Sequence, residues 1–227
     1  GEQWPLKHDL SSLRILGSVG EPINPEAWLW YHKHIGSKKC AIVDTWWQTE
    51  TGGHMITTFP SMKTKPGRAG LPLFGIDADV VSSEGKSVAS NTVGLLVIKQ
   101  PWPSGLRTCW GEPERYESYW KSMEGFYFPG DLATKDDDGY IMILGRADDV
   151  LNVSGHRIVT AEVESALVSH EYIAEAAVIG KPHAVKGESI KGFCILRSDV
   201  QNCNNLVDQV KMHVKSELGS LAVPDEI

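Results

Sequence analysis

The sequence lacks closely spaced cysteines. Its 227 residues include four, Cys40, Cys109, Cys194 and Cys203, and no two of them form a CxxC pair. Structural zinc sites and small disulfide-stabilised folds both need cysteines at short, regular spacings. We therefore expect neither. The thiols are expected to be small core residues in a reducing compartment, which indicates a cytoplasmic protein.

Long apolar runs and an excess of positive charge are also missing. Runs such as residues 94–98 and 176–180 fall far short of the roughly 20 residues that span a bilayer. Lys plus Arg number 22 and Asp plus Glu number 29, so the net charge is −7. Nucleic-acid binding without sequence preference needs a cationic surface. We therefore expect neither a membrane nor a nucleic acid as a partner, although a local pocket can still bind small anions.

Up to about Pro60, the sequence predicts a strand, a helix and a second strand. The first strand, residues 13–19, ends at Gly20-Glu21-Pro22, and Asn24 is placed to cap a helix that runs from Pro25 to Gly36. Residues 40–43 form the second strand, and a crossover of this kind makes the two strands parallel. The loops that follow them leave the carboxyl edge of the sheet, where open α/β sheets bind ligands.

Short strands dominate residues 61–147, which we predict to form a small, mainly antiparallel β-barrel or sheet, with the barrel as the favoured form. They lie at 77–81 and 93–99 and in a hairpin of 132–134 with 140–144, which turns at Asp138-Gly139. One helical turn is predicted at about 112–120.

Residues 148–227 are predicted to form a small mixed α/β domain. Thr160 would cap a helix, strands would follow at 173–179 and 190–196, and a last helix would run from about Asn205 to Leu218. The fold class is therefore α/β and α+β in three parts: an α/β part at 1–60, the barrel and this domain.

The segment from Asp44 to Gly53 is unusually polar and aromatic for ten residues. Two adjacent tryptophans, Trp46 and Trp47, point to opposite faces of a strand, so one is expected in the core and the other beside a cavity. The threonine hydroxyls and Glu50 could then meet phosphate oxygens or a metal ion. The alternative is a packed aromatic loop without a ligand.

Three further segments have both a structural and a functional interpretation. Gly20-Glu21-Pro22 is either an ordinary turn or part of a ligand site. Asp131, after Phe128-Pro129-Gly130, either closes an Asx turn or accepts the hydroxyls of a ribose. In residues 145–157, Arg146 and Arg157 either bind phosphate or belong to a linker with surface ion pairs.

In this order, these segments resemble the AMP-forming acyl-CoA synthetases of the adenylate-forming superfamily. Residues 20–28 and 44–53 carry the resemblance, which runs through essentially the whole chain. It implies that residues 1–60 end a large adenylate-forming domain. It also implies two half-reactions: acetate attacks the α-phosphorus of ATP to give acetyl-adenylate and pyrophosphate, and coenzyme A then displaces AMP. The implied small molecules are therefore acetate, ATP or AMP, coenzyme A and Mg²⁺.

The resemblance assigns roles to individual residues. Gly20, Glu21 and Pro22 would line the adenine, and Asp131, assisted by Arg146, would bind the ribose. The full set implied for ATP is Gly20, Glu21, Pro22, Asp44, Thr45, Trp46, Trp47, Gln48, Thr49, Asp131, Arg146 and Arg157.

Other roles follow from the same resemblance. Trp47 would cap the acyl pocket and Glu50 would help to hold Mg²⁺, while Asp148 would be a hinge. The remaining implied residues are Ser154, Gly155 and Lys215 for coenzyme A, and Val168, His170 and Ile173 for a second cation. Lys215 stands where an arginine is usual, and a lysine lacks the two-pronged guanidinium contact.

Two further elements of the family pattern are expected outside the sequence. The family places its phosphate loop upstream of Gly1 and the lysine that supports adenylation beyond Ile227. We therefore expect a fragment that has no catalytic residue of its own and is inactive alone. The alternatives are a synthetase for propionate or another short acid, which Trp47 disfavours, and a non-catalytic nucleotide-binding module. The sequence predicts no oligomeric state.

Overall fold

The structure, a computed structural model, describes residues 2–198, 200 and 205–227. The chain forms two compact units, Gly1–Leu144 and Gly145–Ile227. Cys203 lies outside the described residues. The division into three parts at 60 and 147 stays a prediction.

The first unit begins with the predicted strand, helix and strand. β1 (Ile15–Ser18) and β2 (Ala41–Trp46) are parallel and joined by α1 (Pro25–His34). The Asn24 side chain accepts a 2.8 Å hydrogen bond from the Glu26 N–H, which confirms the predicted cap. β2 is longer than predicted, because Asp44, Thr45 and Trp46 extend the strand rather than beginning a loop.

Two short strands complete the first sheet. β3 (Ile56–Thr57) and β4 (Leu71–Pro72) add antiparallel partners, giving the order β1-β2-β3-β4.

The strands predicted in the middle of the chain form an open sheet, so the sheet alternative is confirmed and the favoured barrel form was wrong. β5 (Ala78–Val81), β6 (Gly94–Ile98), β7 (Asp131–Lys135) and β8 (Ile141–Arg146) lie in this order. β8 does not close onto β5. Instead, Ile141 bonds to Gly70, so the first sheet occupies this position.

The core of the first unit lies between these sheets and α2 (Pro113–Lys121), which confirms the predicted helical turn. Trp46, Ile56, Leu96, Tyr127 and Ile141 belong to one buried cluster. The core therefore fixes the end of β2 against the segment that leads into β7.

In the described residues of the second unit, one sheet packs with two α-helices. β9 (Val150–Val153), β10 (His156–Val159), β11 (Ile173–His183) and β12 (Gly187–Leu196) pair in the order β10-β9-β12-β11. Side chains of β9–β12 pack against α3 (Thr160–Val168) and α4 (Leu206–Leu218).

Two details of the second unit differ from the sequence predictions. The residue before α3 is Val159, and Thr160 is the first helical residue with no side-chain cap, so the predicted cap was wrong. The β9–β10 hairpin was not predicted. Ser154 and Gly155 form its turn with φ of 53° and 81°, the left-handed pair of a two-residue hairpin loop.

Candidate functional site

The carboxyl edge of the parallel pair brings two of the predicted segments together. In the register of β1 and β2, Ser18 lies opposite Asp44. The turn at Gly20-Glu21-Pro22 follows two residues later and is exposed to solvent. Gly20 has a φ of 105°, which glycine adopts without strain and which turns the chain sharply away from β1.

Asp44 is buried at this edge, with only 5% of its surface exposed. Its Oδ1 accepts a 2.8 Å hydrogen bond from the Thr45 N–H. Burial raises the pKa of Asp44 to about 6, although that hydrogen bond acts in the opposite direction. The buried Oγ1 of Thr45 has no hydrogen-bond partner among the described residues, which is unusual for a buried hydroxyl.

The two tryptophans separate as the sequence predicted. Trp46 is buried in the core, and its indole Nε1 donates a 3.0 Å hydrogen bond to Oδ2 of Asp131. The Asp131 carboxylate, at the start of β7, is therefore oriented by a residue from β2. Trp47 is 43% exposed, with its ring centroid 6.3 Å from that of His54.

Gln48 ties the loop after β2 to the segment before Asp131. Its Oε1 accepts a 2.9 Å hydrogen bond from the Tyr127 hydroxyl, and its Nε2 donates a 3.0 Å bond to the Pro129 carbonyl. The Gln48 N–H donates to Oγ1 of Thr51, which opens a short helical turn over residues 49–51. These bonds occupy the Gln48 side chain within the protein.

Gly52 ends this turn where two backbone segments almost touch. Its φ is 63°, and a Cβ added there would lie 2.2 Å from the Ser104 carbonyl oxygen. No other residue fits, because the obstacle is main chain rather than a movable side chain.

Glu50 has neighbours on α2 that the sequence analysis did not single out. The Tyr119 hydroxyl donates a 2.7 Å hydrogen bond to Glu50 Oε1, and Arg115 Nη2 lies 3.9 Å from the same oxygen. The sequence pattern that could have pointed to Arg115 and Tyr119 is their i, i+4 spacing, which places them on one face of the helix.

We compared the predicted Mg²⁺ site with the side chains that could coordinate the ion. In the described part of the chain, no group of three or more His, Cys, Asp or Glu side chains could hold a metal ion. Mg²⁺ bound to a nucleotide uses one or two carboxylates together with phosphates and water. The Glu50 carboxylate, whose side chain is 21% exposed, fits that smaller requirement.

The predicted sites of the second unit are mostly at its surface. Arg146 Nε lies 3.2 Å from Asp148 Oδ1, so the two residues form an ion pair. Arg146 is the residue predicted to contact the nucleotide, and Asp148 is the predicted hinge. Arg157 is exposed on β10, and Ser154 and Gly155 form the β9–β10 turn.

The predicted second cation site and Lys215 lie on or beside the two helices. His170 is buried, which lowers its pKa, as does the nearby His213. The Ile173 carbonyl accepts a 3.3 Å hydrogen bond from Arg197 Nε, and Val168 ends α3. Lys215 lies in the last turn of α4. The roles of these residues stay predictions.

Two family models match the chain, one within each of its two compact units. Residues 2–105 match the family described as AMP-binding enzyme. Residues 162–227 match the AMP-binding enzyme C-terminal domain. The chain belongs to the AMP-binding enzyme family.

Two curated relatives of this chain carry the same name. The chain is 58% identical to the acetyl-coenzyme A synthetase of Chlorobaculum tepidum and 53% identical to that of Deinococcus radiodurans. Each alignment covers 100% of the chain and 35% of the relative. The chain therefore spans about a third of the length of these relatives.

Solved structures agree with the family assignment. An anthranilate CoA ligase, AuaEII, in complex with anthranoyl-AMP, matches 97% of the chain with a TM-score of 0.84 and 29% identity, over 41% of its own length. An ATP-bound RpMatB-BxBclM chimera matches 93% of the chain with a TM-score of 0.80 and 28% identity, over 40% of its own length. The predicted fold class is thus confirmed.

Among the described residues, no helix is both long and apolar enough to cross a bilayer.

Proposed function

We propose that this chain is part of an AMP-forming acetate–CoA ligase. The observation that carries the proposal is the match to acetyl-coenzyme A synthetases over the whole chain, at 58% and 53% identity. The geometry supports it, because the buried Asp44 lies in β2, the exposed Trp47 follows this strand, and Trp46 of the same strand orients the Asp131 carboxylate.

In the first half-reaction, an acetate oxygen bonds to the α-phosphorus of ATP. The bond from that phosphorus to the bridging oxygen breaks, and pyrophosphate leaves. Asp131 would hold the ribose hydroxyls, the turn at 20–22 would contact the adenine, and Thr49 would approach the phosphates. Arg146 and Arg157 would supply guanidinium charge. Fixed groups of this kind stabilise charge that develops on phosphate.

In the second half-reaction, the thiol sulfur of coenzyme A bonds to the acyl carbon, and the bond to the AMP oxygen breaks. The thiol proton leaves and AMP is released. Ser154, Gly155 and Lys215 would contact coenzyme A. Asp148 would be the hinge, because two reacting partners need different arrangements around one acyl group.

Mg²⁺ would be held by Glu50 and the ATP phosphates, where it would neutralise phosphate charge. Val168, His170 and Ile173 would bind a second cation. We place the reaction in the cytoplasm, on the basis of the thiol-containing sequence.

Trp47 would limit the size of the acid. An indole at the pocket leaves room for a methyl group and penalises longer chains, and one methylene is worth about 1–3 kcal/mol. Acetate would be preferred to propionate by a modest factor.

The test is turnover by the full-length polypeptide that contains this chain. It should release pyrophosphate when acetate and ATP are present, and should form acetyl-CoA and AMP only when coenzyme A is present as well, with a larger kcat/KM for acetate than for propionate. Nucleotide binding without AMP formation would contradict the ligase and favour a binding module. A larger kcat/KM for a longer acid would contradict the acetate assignment.

A further inference from the structure

We infer that Tyr119 is a positioning residue for Glu50, acting through the hydrogen bond from its hydroxyl to the carboxylate. This inference rests on the proposed function, since it concerns the carboxylate that we assign to Mg²⁺ and ATP. Tyr119 lies on α2, outside every segment to which the sequence assigned a ligand-binding role.

The contact fixes one oxygen of Glu50. The Tyr119 hydroxyl lies 2.7 Å from Oε1, and the Arg115 guanidinium lies 3.9 Å from the same atom. Both neighbours from α2 therefore meet Oε1. A carboxylate held by one oxygen presents the other in a defined direction, so Oε2 is the oxygen that we assign to the cation.

A second tyrosine holds Tyr119 in place. The rings of Tyr119 and Tyr127 are stacked with centroids 5.4 Å apart and an angle of 21° between planes. The Phe128 N–H also donates a 2.8 Å bond to the Tyr119 carbonyl. Tyr127 is fully buried and bonds to Gln48, two residues before Glu50. The two stacked rings thus place one hydroxyl on Gln48 and one on Glu50.

The Tyr119 hydroxyl is an uncharged donor to Glu50 Oε1. A phenol of this kind orients the carboxylate without cancelling its charge.

The experiment removes this hydroxyl and uses a matched control on the same helix. Tyr119→Phe is compared with Tyr116→Phe in the full-length polypeptide. Tyr116 is also partly buried, and the structure gives its hydroxyl no partner among the described residues. Binding of Mn²⁺ with ATP, followed by electron paramagnetic resonance, needs no turnover, and equal melting temperatures would show that both variants fold.

We expect Tyr119→Phe to weaken Mn²⁺–ATP binding roughly tenfold, as for the loss of a hydrogen bond to a charged group. The KM for Mg²⁺–ATP should rise by a similar factor while the KM for acetate stays unchanged. Tyr116→Phe should match the wild type. In a Glu50→Gln background, Tyr119→Phe should have no further effect on binding, because the carboxylate that it orients is gone.

Unchanged Mn²⁺–ATP binding in a folded Tyr119→Phe variant would overturn the inference. An undiminished effect in the Glu50→Gln background would overturn it as well, since the tyrosine would then act elsewhere. Wild-type binding of Mn²⁺–ATP without acetate-dependent AMP formation would refute the proposed reaction only, and the binding comparison would still decide the role of Tyr119. If the wild type bound no Mn²⁺–ATP, both proposals would be wrong.

Discussion

The hydrogen bond from Trp46 to Asp131 allows the proposed ribose role of Asp131 to be tested by a substitution in the core. Trp46→Phe keeps an aromatic ring in the core but removes the Nε1 donor at 3.0 Å. If Asp131 binds ribose, the carboxylate should reorient, and the ratio of kcat/KM for ATP over 2′-deoxy-ATP should fall roughly fivefold. Steady-state kinetics of the full-length polypeptide with both nucleotides measure this ratio.

Trp102→Phe is the matched control for that change. Trp102 belongs to the same core cluster, and its Nε1 donates a 2.8 Å bond to the Thr51 carbonyl instead of to Asp131. The control should lose stability to a similar extent and keep the nucleotide ratio. Equal ratios in both variants would argue against a positioning role for Trp46.

Trp47 offers a test of acid selectivity. Trp47→Gly in the full-length polypeptide should raise kcat/KM for propionate and longer acids relative to acetate by roughly tenfold or more, because the removed indole leaves space. Competing acids in one assay give the ratio directly. Trp110→Gly is the control, since Trp110 is 100% exposed. An unchanged ratio in Trp47→Gly would refute the acyl-pocket role.

Asp44 is expected to destabilise the fold at neutral pH. Its folded-state pKa of about 6 lies above the ordinary 3.8, so ionisation costs free energy that grows as the pH rises from about 4 and levels off above 6. The full cost is about 3 kcal/mol. Asp44→Asn should therefore be more stable than the wild type at pH 8 and no more stable at pH 3.5.

Tryptophan fluorescence during urea unfolding measures this difference in the first unit, because all eight tryptophans precede residue 121. Asp136→Asn is a control for which we expect the opposite effect on stability at pH 8. Burial raises the Asp136 pKa, but the hydrogen bonds from Lys65 and the Tyr140 N–H outweigh it and lower the pKa overall. That substitution should cost stability at pH 8 and lose its effect as the pH falls. Equal behaviour of the two variants would contradict the assignment of Asp44.

At the scale of elements, the correct predictions were those that depend on residues close together in the sequence. Asn24 caps α1 through its own side chain, and the alternation of β1, α1 and β2 dictates a parallel pair. The β9–β10 hairpin was missed because charged and polar residues surround the inward positions. Leu151, Val153 and Ile158 are buried, yet Asp148 and Arg157 beside them suggested a linker.

The turn of this hairpin depends on Gly155. A Cβ there would meet no atom within 4 Å, so the cost of Gly155→Ala comes from a φ of 81° alone, about 1 kcal/mol. Amide hydrogen exchange over residues 150–159 should become several-fold faster. Gly155→Asn should largely restore protection, because asparagine tolerates this conformation. Unchanged exchange in the alanine variant would show that the turn has another geometry.

At the scale of the whole molecule, contacts between distant residues limit what a sequence predicts. Trp46 and Asp131 are separated by 85 positions and Glu50 and Tyr119 by 69, and no local pattern encodes either pair. The same holds for the open sheet. The strands themselves were predicted. In a barrel β8 would pair with β5, but Ile141 of β8 bridges to Gly70 instead.

The length of the chain leads to a prediction about activity. It covers 35% of the acetyl-coenzyme A synthetases that it matches. We expect this polypeptide alone to form no acetyl-CoA from acetate, ATP and coenzyme A, because a partial site cannot hold all reacting groups together. Thioester formation measured by mass spectrometry would detect turnover above the uncatalysed rate. Clear turnover by pure protein would contradict the prediction.

The approach of Gly52 to the Ser104 carbonyl bears on how mutational scans of this region are interpreted. Because the obstruction is backbone, the penalty at position 52 is the same in kind for all nineteen replacements, from alanine upward. Complete intolerance at a position beside a proposed nucleotide-binding segment resembles the signature of a catalytic group. Here it reports steric exclusion, and only a direct measure of folded protein separates the two.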